Sequence, residues 1–258
     1  DIQDSTIYDY VMDIEKNLPV QKGDIYNAFD LDDERDMISE HLRNNGYYYF
    51  TKDYIFMEID TNLSVRKANI NIRIEDAIDP VTQKAESHKR YYINNIYIYP
   101  KGSSMSGGVI DTVAHTYKFG SRHNEDVVNF IFTGDPKIRF KAFDNLVHIH
   151  SKQPYSLSSV SQTYKSLNNL KIYNLTNIDF EPIESDNDSI NLLNCNIVLN
   201  RTKVNFYSLQ AEFTNSSGDY GLQGSLTYRN RNIFKGSEIL SITTKAGMQM
   251  QSVLDNEG

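Results

Sequence analysis

Residues 206–251 alternate apolar or small side chains with polar ones over three successive segments. A period of two is the signature of strands with unlike faces, and it limits this chain's fold more than any other feature. In residues 205–214, Leu209, Ala211 and Phe213 fall on one side and Ser208, Gln210 and Glu212 on the other. In residues 220–230, Leu222, Gly224, Leu226 and Tyr228 oppose Gln223, Ser225, Thr227 and Arg229. In residues 238–249, Leu240, Ile242, Thr244 and Ala246 oppose Ser241, Thr243 and Lys245. Each segment is close to the roughly 9–11 residues that cross a bilayer obliquely. A sheet in lipid must close, because open edges leave backbone groups unpaired, and three strands cannot close. The pattern predicts the start of a transmembrane β-barrel, incomplete at residue 258, and hence a piece of a longer protein. A water-soluble three-stranded meander capping the preceding domain is the alternative.

The rest of the chain is polar. Mean hydropathy is −0.53, and no run of 18 apolar residues occurs, so no transmembrane helix is expected. The first residue is Asp1, without a charged-then-apolar leader, which suggests a processed or excised chain. Net charge is −8 and no basic stripe is present, which argues against a nucleic-acid partner. The lone Cys195 excludes an internal disulfide and a cysteine-based zinc site. Eighteen tyrosines with no tryptophan suit half-buried β surfaces and specify no chemistry.

Upstream, helix and strand signals alternate. Ile7, Tyr10, Val11 and Ile14 predict a helix over 7–17, closed by Pro19. A second helix should start at Asp30 as N-cap, bury Leu31, Ile38 and Leu42, and end at Gly46 in a left-handed cap. Strands are expected at 48–59 and 65–74, the latter burying Ala68, Ile70, Ile72 and Ile74. Residues 75–89 read as a linker. Then come a strand at 90–99, a loop insertion near 101–125 and a short strand at 130–133. A helix at 140–148 should precede a second one capped by Ser156, with Leu157, Val160, Tyr164 and Leu167 as its stripe. Strands at 172–182 and 190–200 complete the unit, the last burying Leu193, Cys195, Ile197 and Leu199. The order is β-α-α-β-β in this unit and α-α-β-β in the first, whose opening strand is missing or frayed at residues 1–5.

These orders and several local segments resemble the BamA/TamA family of outer-membrane β-barrel assembly proteins, whose periplasmic arms are strings of POTRA domains. Leu42-Arg43-Asn44-Asn45-Gly46-Tyr47-Tyr48-Tyr49-Phe50 is similar to the helix end and strand start of such a domain. Tyr155-Ser156-Leu157, Leu167-Asn168-Asn169-Leu170-Lys171-Ile172-Tyr173 and Asn177-Ile178-Asp179-Phe180 are similar to the membrane-proximal one. Asn232-Ile233-Phe234-Lys235-Gly236-Ser237-Glu238 resembles a turn between early barrel strands. Lys171 replaces a usual glycine, and Gln153-Pro154 replaces a usual Pro-Gly. The resemblance covers nearly the whole chain. It implies an α+β fold: tandem POTRA-like β-α-α-β-β domains followed by antiparallel strands that begin a transmembrane β-barrel. The domains are then residues 1–80 (N-terminally truncated), 88–204 (with the insertion near 101–125) and 205–258.

The resemblance also implies a function. The chain would be the periplasmic arm of an outer-membrane insertion factor, taking unfolded outer-membrane proteins by β-augmentation and passing them to the barrel. The accepting edge would be the strand after the second helix in each unit: Tyr54, Phe56 and Glu58 in the first, and Asn174, Thr176, Ile178 and Phe180 in the second. Accessory lipoproteins of an assembly complex are further implied partners, and the barrel would hold the whole protein in the Gram-negative outer membrane. No cofactor is needed. Two rivals are a two-partner secretion or export pore built on the same arm, and a soluble scaffold or adhesion protein of α+β modules.

No enzyme is expected. His148 and His150 share a strand-like spacing but lack a third metal ligand, and read as exposed polar residues. The acidic run Asp30, Asp32, Asp33, Glu34 and Asp36 lacks the glycine and distal glutamate of a calcium loop. Ser158, Ser159 and Ser161 lack a nucleophile-elbow setting, and Gly107-Gly108 lacks the lysine of a phosphate loop.

Overall fold

The computed structural model describes residues 2, 4–62, 67–78, 82–101, 110–119, 124–133, 135, 138–183, 190–216 and 219–250. The first domain begins with α1 (Ser5–Ile14), which starts earlier than the apolar spacing suggests. The Asp4 carboxylate accepts from Thr6 N at 2.8 Å and Ile7 N at 3.3 Å and so sets the first turn. Residues Glu15–Asn17 continue as a 3₁₀ turn. Helix α2 (Ala28–Asn44) is capped by Asn27, not Asp30: Asn27 Oδ1 accepts from Phe29 N, and its amide donates to the Asp30 carboxylate. Leu31, Ile38 and Leu42 are buried as expected; Ile38 and Leu42 share a core with Ile7 and Val11 of α1, while Leu31 lies toward β1.

Gly46 ends α2 with φ +105°, and a Cβ there would meet Arg90 Cγ at 2.6 Å. The aromatic run after it does not form a strand. Residues 47–54 turn, ending in a 3₁₀ segment at Lys52–Tyr54, because Tyr47 and Phe50 both bury into the first core. The first strand is β1 (Ile55–Asn62), paired antiparallel with β2 (Lys67–Ile74) from Ile55↔Ile74 to Asn62↔Lys67. Of the expected buried face of β2, only Ile74 is fully buried; Ala68 is exposed, because the far half of this hairpin reaches past the helices. Ile2 forms a parallel bridge to Ile74, at the place where the opening strand of the first unit was expected to be missing or frayed. Within the expected linker, β3 (Ala77–Ile78) and β4 (Ala85–Glu86) form a minimal hairpin.

The second domain is a five-stranded sheet in the order β6-β7-β5-β9-β8. Its strands are β5 (Tyr91–Lys101), β6 (Ile110–Phe119), β7 (Asn124–Thr133), β8 (Tyr173–Ile183) and β9 (Asn191–Arg201). Strand β5 lies parallel to both neighbours, while the hairpins β6–β7 and β8–β9 are antiparallel. Strands β5, β8 and β9 are the three strands expected of this unit, but only one of its two expected α-helices forms. The added hairpin corrects two readings: residues 110–119, placed in a loop insertion, form a full strand, and the strand at 130–133 starts at Asn124. Residues 102–109 and 120–123 of that insertion lie outside the described residues.

One face of the sheet is covered by α3 (Leu157–Asn168) and the segment before it. Ser156 caps α3 as expected, its hydroxyl accepting from Ser159 N at 3.3 Å. Tyr164, however, is 50% exposed, and Thr163 takes its place in the core. The Thr163 hydroxyl donates to Ser159 O and accepts from His148 N, so a polar residue fits there without an unpaired group. No α-helix forms at 140–148. Residues Phe140–Phe143 make a 3₁₀ turn that stacks Phe140 on Phe130 at 4.4 Å, and the chain then runs extended, burying Val147 and Ile149 alternately. Strand β9 buries Leu193, Cys195, Ile197 and Leu199 completely, as its alternation predicts.

The last sheet is β10 (Asn205–Ser216), β11 (Asp219–Asn230) and β12 (Leu240–Met250), in that order and antiparallel. Its boundaries fall within two residues of those expected at every end that the alternation set.

Candidate functional site

Strand β1 is the edge of its two-stranded sheet and β8 the edge of the five-stranded one, so both expected strands carry an unpaired side among the described residues. Which residues turn their backbone to that side is set by the ladders. In an antiparallel strand the N–H and C=O of one residue point the same way, and the direction alternates. Glu75 N donates to Tyr54 O at 3.0 Å, so Tyr54, Phe56 and Glu58 face β2. The outward groups belong to Ile55, Met57 and Ile59. Of the expected residues of the first unit, Tyr54 closes the 3₁₀ segment before β1, and Phe56 and Glu58, on β1, turn their backbone groups to β2 rather than to the open side.

Their side chains brace the wet face instead. Arg73 lies over the Phe56 ring at 5.1 Å and pairs with Glu58 at 3.1 Å, while Tyr54 packs on Phe50 and His88. A groove of about 350 Å³ runs between α2 and β1, lined by Ala28, Leu31, Asp32, Arg35, Ile55, Phe56 and Met57.

On β8, Thr202 N donates to Ile172 O, and β9 runs on without a bulge, so its even-numbered residues face β8. Their partners Asn174, Asn177, Asp179 and Glu181 are turned inward, and Ile178, Phe180 and Pro182 present their backbone outward. Pro182 has no N–H to offer, which suits an outward edge position. The register slips between Leu175 and Asn177, leaving Thr176 as the extra residue of a bulge; its side chain is outside the described set. Of the four expected residues here, Ile178 and Phe180 carry outward groups and Asn174 does not. Bulge and proline both blunt β8 as an acceptor, whereas β1 has neither.

The two units meet at the end of α2. The Asn44 side chain accepts from Ser158 N at 2.7 Å and from the Ser156 hydroxyl at 3.3 Å, so the first domain caps the helix of the second. Arg90 donates to Asn45 O at 2.7 Å, and Tyr91 N to Gly46 O at 2.8 Å. Tyr48 packs edge-on against Tyr155 at 4.9 Å and lies 5.6 Å from Phe180, which places the joint next to the β8 edge.

Buried charge lies at the inserted hairpin. Asp126 on β7 accepts from Ser151 N, the Ser151 hydroxyl and Val127 N, and sits 3.4 Å from His150 Nδ1. Burial alone would raise its pKa; the bonds from His150, Ser151 and Val127 outweigh that and hold it below the ordinary value. His150 stacks on Phe119 at 3.6 Å, and His148 bonds Ser166, so neither histidine is the exposed polar residue expected. Burial, then its neighbour His150, keeps His148 neutral to lower pH than usual. His115 adds a second clasp to Asp144 at 2.6 Å. Among the described residues no three His, Cys, Asp or Glu side chains gather as metal ligands. Burial pushes the Cys195 thiol up, as befits a small core residue.

In the last sheet the register aligns like with like. Tyr207, Tyr228 and Ile242 form one row; Leu209, Leu226 and Thr244 the next; then Ala211, Gly224 and Ala246; then Phe213, Leu222 and Met248. The opposite face holds rows such as Gln210–Ser225–Lys245 and Ser208–Thr227–Thr243. Nothing in the described structure covers the apolar rows: Leu209 is 81% and Phe213 68% exposed. Aromatic pairs bound the rows, Tyr207 with Tyr228 at 5.1 Å and Phe213 with Tyr220 at 6.1 Å. The β11–β12 connection docks back on the second domain, where Arg139 N donates to Lys235 O at 2.7 Å.

A POTRA unit followed by barrel-type strands is the class this geometry defines. Residues 6–77 match the POTRA family model, described as the surface antigen variable number repeat, and the first domain is a POTRA domain. The chain is similar in fold to part of BamA from Haemophilus ducreyi lacking POTRA domains 1–3, with a TM-score of 0.54 and 10% identity over 96% of this chain and 36% of that one. CdiB from Acinetobacter baumannii aligns over 95% of this chain and 36% of that one, at 13% identity and a TM-score of 0.44, too low to carry weight. The chain thus spans little more than a third of either structure. No curated protein matches it in sequence.

Proposed function

We propose that this chain is the periplasmic arm and the first barrel strands of an outer-membrane protein assembly factor. The observation that carries the membrane half is the uncovered face of β10–β12, with apolar rows in register between aromatic pairs and polar rows behind. About 20 Å of strand separates the Tyr207 and Phe213 rows, which at the usual tilt of barrel strands is about 15 Å of height and fits within the roughly 25 Å apolar band of outer-membrane barrels. In water such a face would cost what burial normally recovers, roughly 25 cal/mol per Å². Lipid removes that cost.

The arm half is supported by the free edge of β1 and, less well, that of β8. An unfolded client strand adds to such an edge through backbone hydrogen bonds, which read little sequence and so suit many clients. Client unfolded outer-membrane proteins, the barrel seam as destination and accessory lipoproteins as further partners complete this reading. The free energy comes from client folding and lipid burial, without a nucleotide or cofactor.

Light scattering on residues 1–204 and on the whole chain, with and without detergent, tests it. The shorter chain should be monomeric; the whole chain should associate in buffer and be dispersed by detergent. Equal monodispersity of both without detergent would mean that β10–β12 is a water-soluble sheet and would remove the main support for a membrane role.

A further inference from the structure

The near end of the β1 edge is already occupied. Arg35, projecting from α2 into the groove, donates from Nε to Ile55 O at 3.0 Å and from its NH2 nitrogen to Lys52 O at 2.9 Å. Its third nitrogen meets the Asp32 carboxylate at 3.2 Å. The Ile55 N–H is also taken, donating to Lys52 O at the end of the 3₁₀ turn. Both outward groups of Ile55 therefore have partners from within the domain. The next outward residues, Met57 and Ile59, turn their backbone groups away from β2 and toward the open side of the strand.

We propose that Arg35 is a specificity-determining residue of this edge: its guanidinium stands in for the N–H of an added strand at Ile55 and makes pairing start at Met57. The inference rests on the edge-addition reading above. A strand arriving at Ile55 would replace a charge-assisted bond with a neutral one, and it would disturb a guanidinium also held by Lys52 O and Asp32. That exchange is unfavourable, because bonds from an ionised donor are roughly twice as strong as neutral ones. The pairing frame is thus set at one end. The ligand that fits is a short extended segment, alternating apolar and polar, whose apolar side chains enter the groove beside Leu31 and Met57.

The test is calorimetric titration of the whole chain in detergent micelles with a synthetic peptide of residues 240–250, LSITTKAGMQM, shortened one residue at a time from each end. In the wild type, removing the peptide residue that lies opposite Ile55 should leave affinity unchanged. In Arg35→Met the same trimming should cost about five-fold, the size of one net backbone hydrogen bond. Arg35→Ala, which removes every donor from the groove, should behave likewise and serves if Arg35→Met does not fold. Identical trimming profiles in wild type and both variants would overturn the role of Arg35 and leave edge addition standing. Met57→Pro, which deletes an outward N–H, separates the two ideas. Peptide binding undiminished in that variant, or absent from the wild type, sinks the edge reading and the Arg35 inference with it.

Discussion

The five-stranded sheet and the three-stranded sheet are written with the same period of two, yet they end in opposite surroundings. In β9 every second residue is fully buried under α3 and the turn at Phe140–Phe143. In β10–β12 the corresponding rows meet nothing in the described structure. The difference lies in the elements that accompany each set of strands along the chain. The second domain supplies a helix with its own apolar stripe, and residues 205–250 supply none. Alternation specifies a two-faced sheet; a covering element along the chain tells which of the faces is buried within it.

That contrast can be broken at its core first. Phe130→Ala, in the layer between β7 and Phe140, should lower the second domain's unfolding free energy by about 3–5 kcal/mol in a urea melt. Next is the face proposed to meet lipid. Leu226→Arg should cost about 2–4 kcal/mol for the barrel-forming protein in a bilayer, while Ser225→Arg on the opposite face should stay within about 0.5 kcal/mol. Equal costs at the two positions would erase the distinction between the faces. Asp126→Asn, which weakens the clasp of the inserted hairpin, should destabilise the second domain by about 1–3 kcal/mol and leave β10–β12 unaffected. The smallest effect is with pH. His148 is held neutral and Asp126 ionised in the fold, both pKa values lying below the ordinary ones. For each, the stabilisation is complete above the ordinary pKa and is lost as pH falls. Thermal melts of the second domain should therefore weaken first below about pH 6.5 and again below about pH 4, with no fall between pH 7 and 8 from these two groups.

The legible parts of the fold were those with one dominant period. Strand β9, the three last strands and the Ser156 cap are direct consequences of spacing, because a single face or a single side-chain oxygen determines each. Strand β6 was hard to read because Asp111 and His115 interrupt the face of Val113, Tyr117 and Phe119 that opposes Thr112, Ala114, Thr116 and Lys118. The helix expected at 140–148 failed for the opposite reason: Phe140, Phe143 and Val147 have helical spacing, but tertiary packing against Phe130 uses them on a turn and an extended segment. Of the candidate site, the strands could be named and the residues only half so. Edge phase depends on where each ladder begins, and for β1 that is set by Glu75 reaching Tyr54, a pairing no local pattern records. Arg35 and Asn44 were invisible alike, each an ordinary surface residue until a distant backbone arrives.

Asn44 bears on the order of events in time as well as on geometry. The amide it satisfies at the start of α3 lies 114 residues downstream. A contact of that separation carries a larger loop-closure cost than a local one. Helix α3 can nucleate on Ser156 alone, but its first turn is completed only by a first domain that is already folded. The joint thus ties the start of α3 to the fold of the leading domain: without Asn44 in place, the Ser158 N–H loses its acceptor from the protein.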